Sequence, residues 1–178
     1  MNVEPVLRVL QSIDAPHALI GGRAMAARGY PRFTIDVDLL TSDNRVLVAK
    51  TWSELARDGA EIDIRRGDHE DPLAGVVHLL LADGTDVDIV VAKWKWEADL
   101  IDRAESMSIG GVAIRVPRTG DLILLKLAAG GFIDLQDAKA LMSLGDVATV
   151  IRDVEAHVAE VRPDVRALWS DLRAASER

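Results

Sequence analysis

Between residues 19 and 40 a short apolar run breaks at Gly21-Gly22. The chain then returns to an apolar run that carries two acids, Asp36 and Asp38, with only Val37 between them. Strand side chains alternate faces, so this spacing predicts a strand over 33–40 with both carboxylates on one side and Ile35, Val37 and Leu39 on the other. Like charges so placed raise each other's pKa and weaken a fold unless a cation lies between them. Upstream, residues 18–22 read as a strand that ends at the two glycines and 23–28 as the helix that follows. Glycines at such a junction let backbone N–H groups approach an anion, and the helix start adds a favourable partial charge. Few folds put a phosphate cradle opposite an acid pair. Oxygen ligands in pairs suit Mg²⁺, which takes its other ligands from water and a phosphorylated substrate.

A second acid pair repeats the pattern. Asp86 and Asp88 alternate with Val87 and Ile89 on a strand expected over 86–91, after a hairpin at Asp83-Gly84 and a strand over 75–81 that contains His78. A first helix is expected over 4–13, a helix from Ser42 or Asp43 to Leu55 with Gly59 closing it, and a wet-faced strand over 61–65. Residues 67–72 read as a solvated polar loop. A helix should run from the Lys93-Trp94-Lys95-Trp96 segment to residue 104, and a strand or hairpin should surround Gly110-Gly111. The rest is expected to be helical, with Thr119-Gly120-Asp121 capping residues 122–129 and amphipathic helices over 147–159 and 163–175.

The 178 residues suit one domain with a sizeable core, and the absence of Cys fits a reducing compartment. Glu4 and Asp14 interrupt the N-terminal stretch, which argues against a secretory signal, and no apolar run approaches the roughly 20 residues of a membrane helix. The expectation is a cytoplasmic protein with no membrane partner. With 29 acids against 21 bases and a net charge of −8, there is no general attraction to nucleic acid. Arg65, Arg66, Lys93 and Lys95 are the residues from which a local basic patch would be built.

The ordered set Gly21-Gly22-x-Ala24, Gly29, then Arg32-x-Thr34-x-Asp36-x-Asp38 resembles the signature of the nucleotidyltransferase superfamily. It is similar above all to the branch with AbiEii-type toxins and related small bacterial proteins. The resemblance covers residues 19–141. It implies an α/β (α+β) fold, a mixed sheet flanked by helices, with a catalytic core over 1–117 and a helical C-terminal segment over 118–178. It further implies that Asp36, Asp38 and Asp88 hold Mg²⁺ or Mn²⁺, with Asp86 as the alternative third carboxylate. Gly21, Gly22, Arg32 and Thr34 would bind the nucleotide. Lys126, in Asp121-Leu122-x-x-x-Lys126, would reach its phosphates, and Asp134 would belong to the same site. In that segment Gly131 and Ile133 stand where the family carries basic residues. The implied partners are an NTP donor, an acceptor that is RNA, protein or a small hydroxylated molecule as in antibiotic modification, and an antitoxin. The rival expectation is a nucleotide- or partner-binding module that keeps the fold without turnover.

Overall fold

The computed structural model describes residues 2–176. Helix α1 (Glu4–Ser12) leads into β1 (His17–Ile20), α2 (Gly21–Ala27) and β2 (Val37–Thr41). After two short 3₁₀ turns come α3 (Ser53–Arg57), β3 (Glu61–Arg66), β4 (Gly75–Leu80), β5 (Asp86–Val91) and α4 (Lys95–Arg103). A hairpin of β6 (Glu105–Ile109) and β7 (Val112–Val116) precedes four helices, α5 (Thr119–Ala129), α6 (Phe132–Met142), α7 (Val147–Glu155) and α8 (Pro163–Ser176).

The main sheet has the order β1-β2-β5-β4-β3. Its β2–β5 pair is parallel and the other pairs are antiparallel, so the sheet is mixed, as expected from the sequence. Directly paired residues share a face, so the register sorts the side chains into two sets. Val37, Leu39, Val77, Leu79, Val87 and Ile89 form one fully buried set. Ile20, Asp38, Asp88, His78 and Asp63 lie side by side across all five strands on the other face. Burying an aliphatic side chain of this size stabilises by about 1.5–3 kcal/mol, and that apolar face anchors the register which lines up the acids.

Three local expectations are corrected. The strand begins at Val37, so Asp36 lies in the bend before it. The reason is visible in Arg23, whose guanidinium donates to the carbonyl oxygens of Ile35 (2.7 Å) and Asp36 (2.8 Å), while β1 ends opposite Asp38 and offers no strand partner further out. The helix expected up to Leu55 is broken into two 3₁₀ turns and the short α3, because Val48 is extended between them. Asp43 nevertheless caps the first turn by accepting from Arg45 N at 2.9 Å. Asp121 is no cap. Helix α5 starts two residues earlier, at Thr119, and Asp121 is buried in its first turn, accepting from Arg103 at 2.6 and 3.0 Å.

Candidate active site

The two glycines of the opening motif have different jobs. Gly21 has φ +65°, and a Cβ built there would lie 1.9 Å from Asp38 Oδ2, so only glycine lets the start of α2 come this close to the carboxylate. At Gly22 a Cβ would fall 2.9 Å from Thr34 Cγ2, so the absence of a side chain lets Thr34 pack onto α2. Thr34 thereby holds the loop leading to Asp36 against α2, and Arg23 of the same helix donates to the carbonyl oxygens of Ile35 and Asp36. Sequence reasoning missed Arg23, which sits at a position the motif leaves free.

Asp38 and Asp88 are register partners on adjacent parallel strands. Burial, then the charges of Asp88 and Asp36, push the Asp38 carboxyl up from 3.8 to about 6, although Lys126 and Arg32 pull the other way. Asp88 Oδ1 lies 2.9 Å from His78 Nδ1, and Asp86 Oδ1 is 3.3 Å from the same nitrogen. The hydrogen bond to Asp88 is the main cause that raises the His78 pKa. His78, read from the sequence only as a residue of the 75–81 strand, is therefore a neighbour of the acids. Strand pairing with Asp88 was the signal that could have found it. Among the described residues, His78, Asp86 and Asp88 form the cluster whose candidate metal-ligand atoms all lie within 4.8 Å of one another. Asp36 and Asp38 are outside that cluster.

Lys126 donates to Asp134 at 2.7 Å and lies 3.0 Å from Asp137, with its side chain only 16% exposed. Arg32 also binds Asp137, tying the loop before β2 to α6. Two cations and two acids thus form one network beside Asp38. At position 131 a Cβ would lie 2.8 Å from Asp134 Oδ2, so glycine leaves that carboxylate free to meet Lys126, while Phe132 and Ile133 are exposed. Of the candidate basic patch, two cations are matched by acids and two by backbone carbonyls. Arg65 pairs with Asp63, Lys95 with Asp99, Arg66 donates to Leu47 O, and Lys93 Nζ donates to the carbonyl oxygens of Asp68, His69 and Asp71. Lys93 therefore pins the loop that the sequence suggested was merely solvated.

Beside Asp38 lies a cavity of about 430 Å³ whose polar lining is the Gly21 backbone with Asp38, Glu97, Lys126, Asp134 and Arg162. This architecture matches known solved structures. The antibiotic-resistance factor ANT(2'')-Ia superposes with a TM-score of 0.50 at 17% identity, over 98% of this chain and 91% of that one. The fold is that of the nucleotidyltransferases. An antigenic nucleotidyltransferase-like protein from Paracoccidioides brasiliensis gives 0.50 at 18% identity, over 96% of this chain and 84% of its own. The lincosamide antibiotic adenylyltransferase LnuA gives 0.51 at 15% identity, over 80% and 96%. No family model and no curated protein sequence matches the chain. No helix among the described residues is long and apolar enough to cross a membrane.

Proposed function

We propose that this protein is a metal-dependent nucleotidyltransferase that moves NMP from an NTP donor to a hydroxyl acceptor. The observation that carries the reading is the Asp38–Asp88 register pair on parallel strands, with the glycine turn set against one carboxylate and Lys126 beside it. Asp36, Asp38 and Asp88 would hold a divalent cation, because burial and then the charges of Asp88 and Asp36 disfavour an ionised Asp38 more than Lys126 and Arg32 relieve it. Mg²⁺ or Mn²⁺ held there would supply the positive charge that offsets charge developing on pyrophosphate.

The side chains supply the rest. Asp88 takes the proton of the acceptor hydroxyl as its oxygen attacks the α-phosphorus and the bond to pyrophosphate breaks. His78 holds the Asp88 carboxylate in place at 2.9 Å. Lys126 turns part of its charge from Asp134 and Asp137 toward the phosphates, and Gly21 and Gly22 present backbone N–H groups to them. Arg32, Thr34 and Asp134 act on the nucleotide by fixing the loop before β2 and the Lys126 ammonium. Positioning and electrostatics then carry most of the rate.

The test is transfer of label from each NTP, with Mg²⁺ or Mn²⁺, to RNA, protein and aminoglycoside acceptors. Asp36→Asn and Asp38→Asn should abolish transfer while remaining folded, and variants as active as the parent would refute the metal assignment. Because the motif order resembles the AbiEii branch, the reading extends to a toxin restrained by an antitoxin. Expression of the parent, and not of Asp38→Asn, should then arrest growth.

A further inference from the structure

We propose that the cavity beside Asp38 is the pocket for the nucleobase of the donor nucleotide, and that the indole N–H of Trp96 donates a hydrogen bond to an acceptor on the base edge. The orientation of the nucleotide rests on the transferase reading above. The cavity, about 430 Å³, falls within the roughly 300–1,000 Å³ range of small-ligand sites. Away from its polar part the wall is apolar and includes Leu40, Val90, Trp94, Trp96, Leu122 and Leu125, flat rings and branched aliphatics that suit a planar heterocycle.

Two observations decide between occupants. Asp88, the group that accepts the attacking hydroxyl's proton, does not line the cavity, whereas the phosphate-side residues Gly21 and Lys126 do. The space therefore continues from the donor's phosphates, and the acceptor approaches over the exposed side of β4 and β5. Nor does the wall suit a polycationic sugar. Glu97, 4% exposed, already accepts from the backbone N–H groups of Lys93 (2.8 Å) and Trp94 (2.9 Å), and Asp134 is paired with Lys126. Apart from Asp38, the acids lining the cavity are committed.

Trp96 supplies the independent signal. It is 5% exposed, and its Nε1 is buried without a hydrogen-bond partner, a condition that native folds rarely leave unexplained. The indoles of Trp52 and Trp169, by contrast, donate to Val46 O at 2.7 Å and Glu155 Oε1 at 2.9 Å. Every nucleobase offers a ring nitrogen or carbonyl oxygen able to take such a bond.

The experiment uses the full chain labelled with ¹⁵N-tryptophan, in EDTA, titrated separately with adenosine, guanosine, cytidine and uridine. The indole resonance of Trp96, identified by its loss in Trp96→Phe, should move saturably with at least one nucleoside while those of Trp52 and Trp169 stay fixed. Trp96→Phe should stay folded, melting somewhat below the parent because the smaller ring leaves a gap in the core, and should bind that nucleoside about tenfold more weakly, the loss of one hydrogen bond. If no nucleoside moves the Trp96 signal, or if Trp96→Phe binds as well as the parent, the pocket assignment is wrong. The assay contains no phosphate, metal or acceptor. A protein that shifts Trp96 without transferring label therefore refutes the transferase reading alone, and one that transfers label without the shift refutes the pocket alone.

Discussion

Replacing Asp38 by Asn should make the metal-free protein more stable, and by an amount that depends on pH in a defined way. The folded protein holds this carboxyl at about 6 against 3.8 for a free side chain, so the fold prefers the protonated form. Below the unfolded value both states carry the proton and there is no penalty. As pH rises through the folded value the penalty grows to its full size. About two units correspond to roughly 3 kcal/mol, reduced to about 2–3 kcal/mol by the partial exposure of the side chain. By the same linkage about half of it is present at pH 5. For a chain of this length that is an increase in Tm of about 4–12 °C at pH 8, and about half as much at pH 5. Thermal melts in EDTA at the two pH values measure it directly. Added Mg²⁺ should stabilise the parent at pH 8 and leave Asp38→Asn unmoved. A variant no more stable than the parent at pH 8, or a gain that does not shrink toward pH 5, would show that the fold does not disfavour the ionised Asp38 carboxyl.

Three further substitutions probe the scaffold. Gly21→Ala puts a methyl group where Asp38 Oδ2 stands and asks alanine to adopt φ +65°, so denaturant unfolding should show a loss of about 2 kcal/mol or more, with transfer abolished. Glu97→Ala leaves the part-buried N–H groups of Lys93 and Trp94 without their acceptor and should cost about 1–3 kcal/mol, most of it recovered in Glu97→Gln, which keeps an oxygen there. Arg23→Ala releases the carbonyl oxygens of Ile35 and Asp36. The expected result is a rise in the metal concentration needed for half-maximal activity with little change in Tm, since the freed carbonyls can turn to water.

Much of this architecture is legible in the residues because period and punctuation agree. The alternation in 86–91 and the Asp83-Gly84 turn specify a hairpin, and β4 and β5 pair as that reading requires, with Gly84 at φ +80°. The glycine pair at 110–111 likewise makes the tight turn between β6 and β7. Pattern alone failed where a distant side chain took over the backbone. Nothing local to Ile35 and Asp36 shows that Arg23 will claim their carbonyls and end the strand at Val37. Nor does the run of apolar residues in α5 reveal that Asp121 answers Arg103 from across the fold. The acids of the site were readable individually, but their alignment with His78 is a property of strand register, which local sequence does not specify. Lys126, Asp134 and Arg32 were each visible, yet their convergence with Asp137 depends on how α6 packs against α5.

The most direct test is a titration of the protein with Mn²⁺ followed by the electron paramagnetic resonance of the free ion, with and without NTP. The account predicts that the parent removes Mn²⁺ from solution, more tightly when NTP is present, and that Asp38→Asn and Asp88→Asn lose this binding while keeping their fold. Equal uptake by the parent and both variants would contradict it.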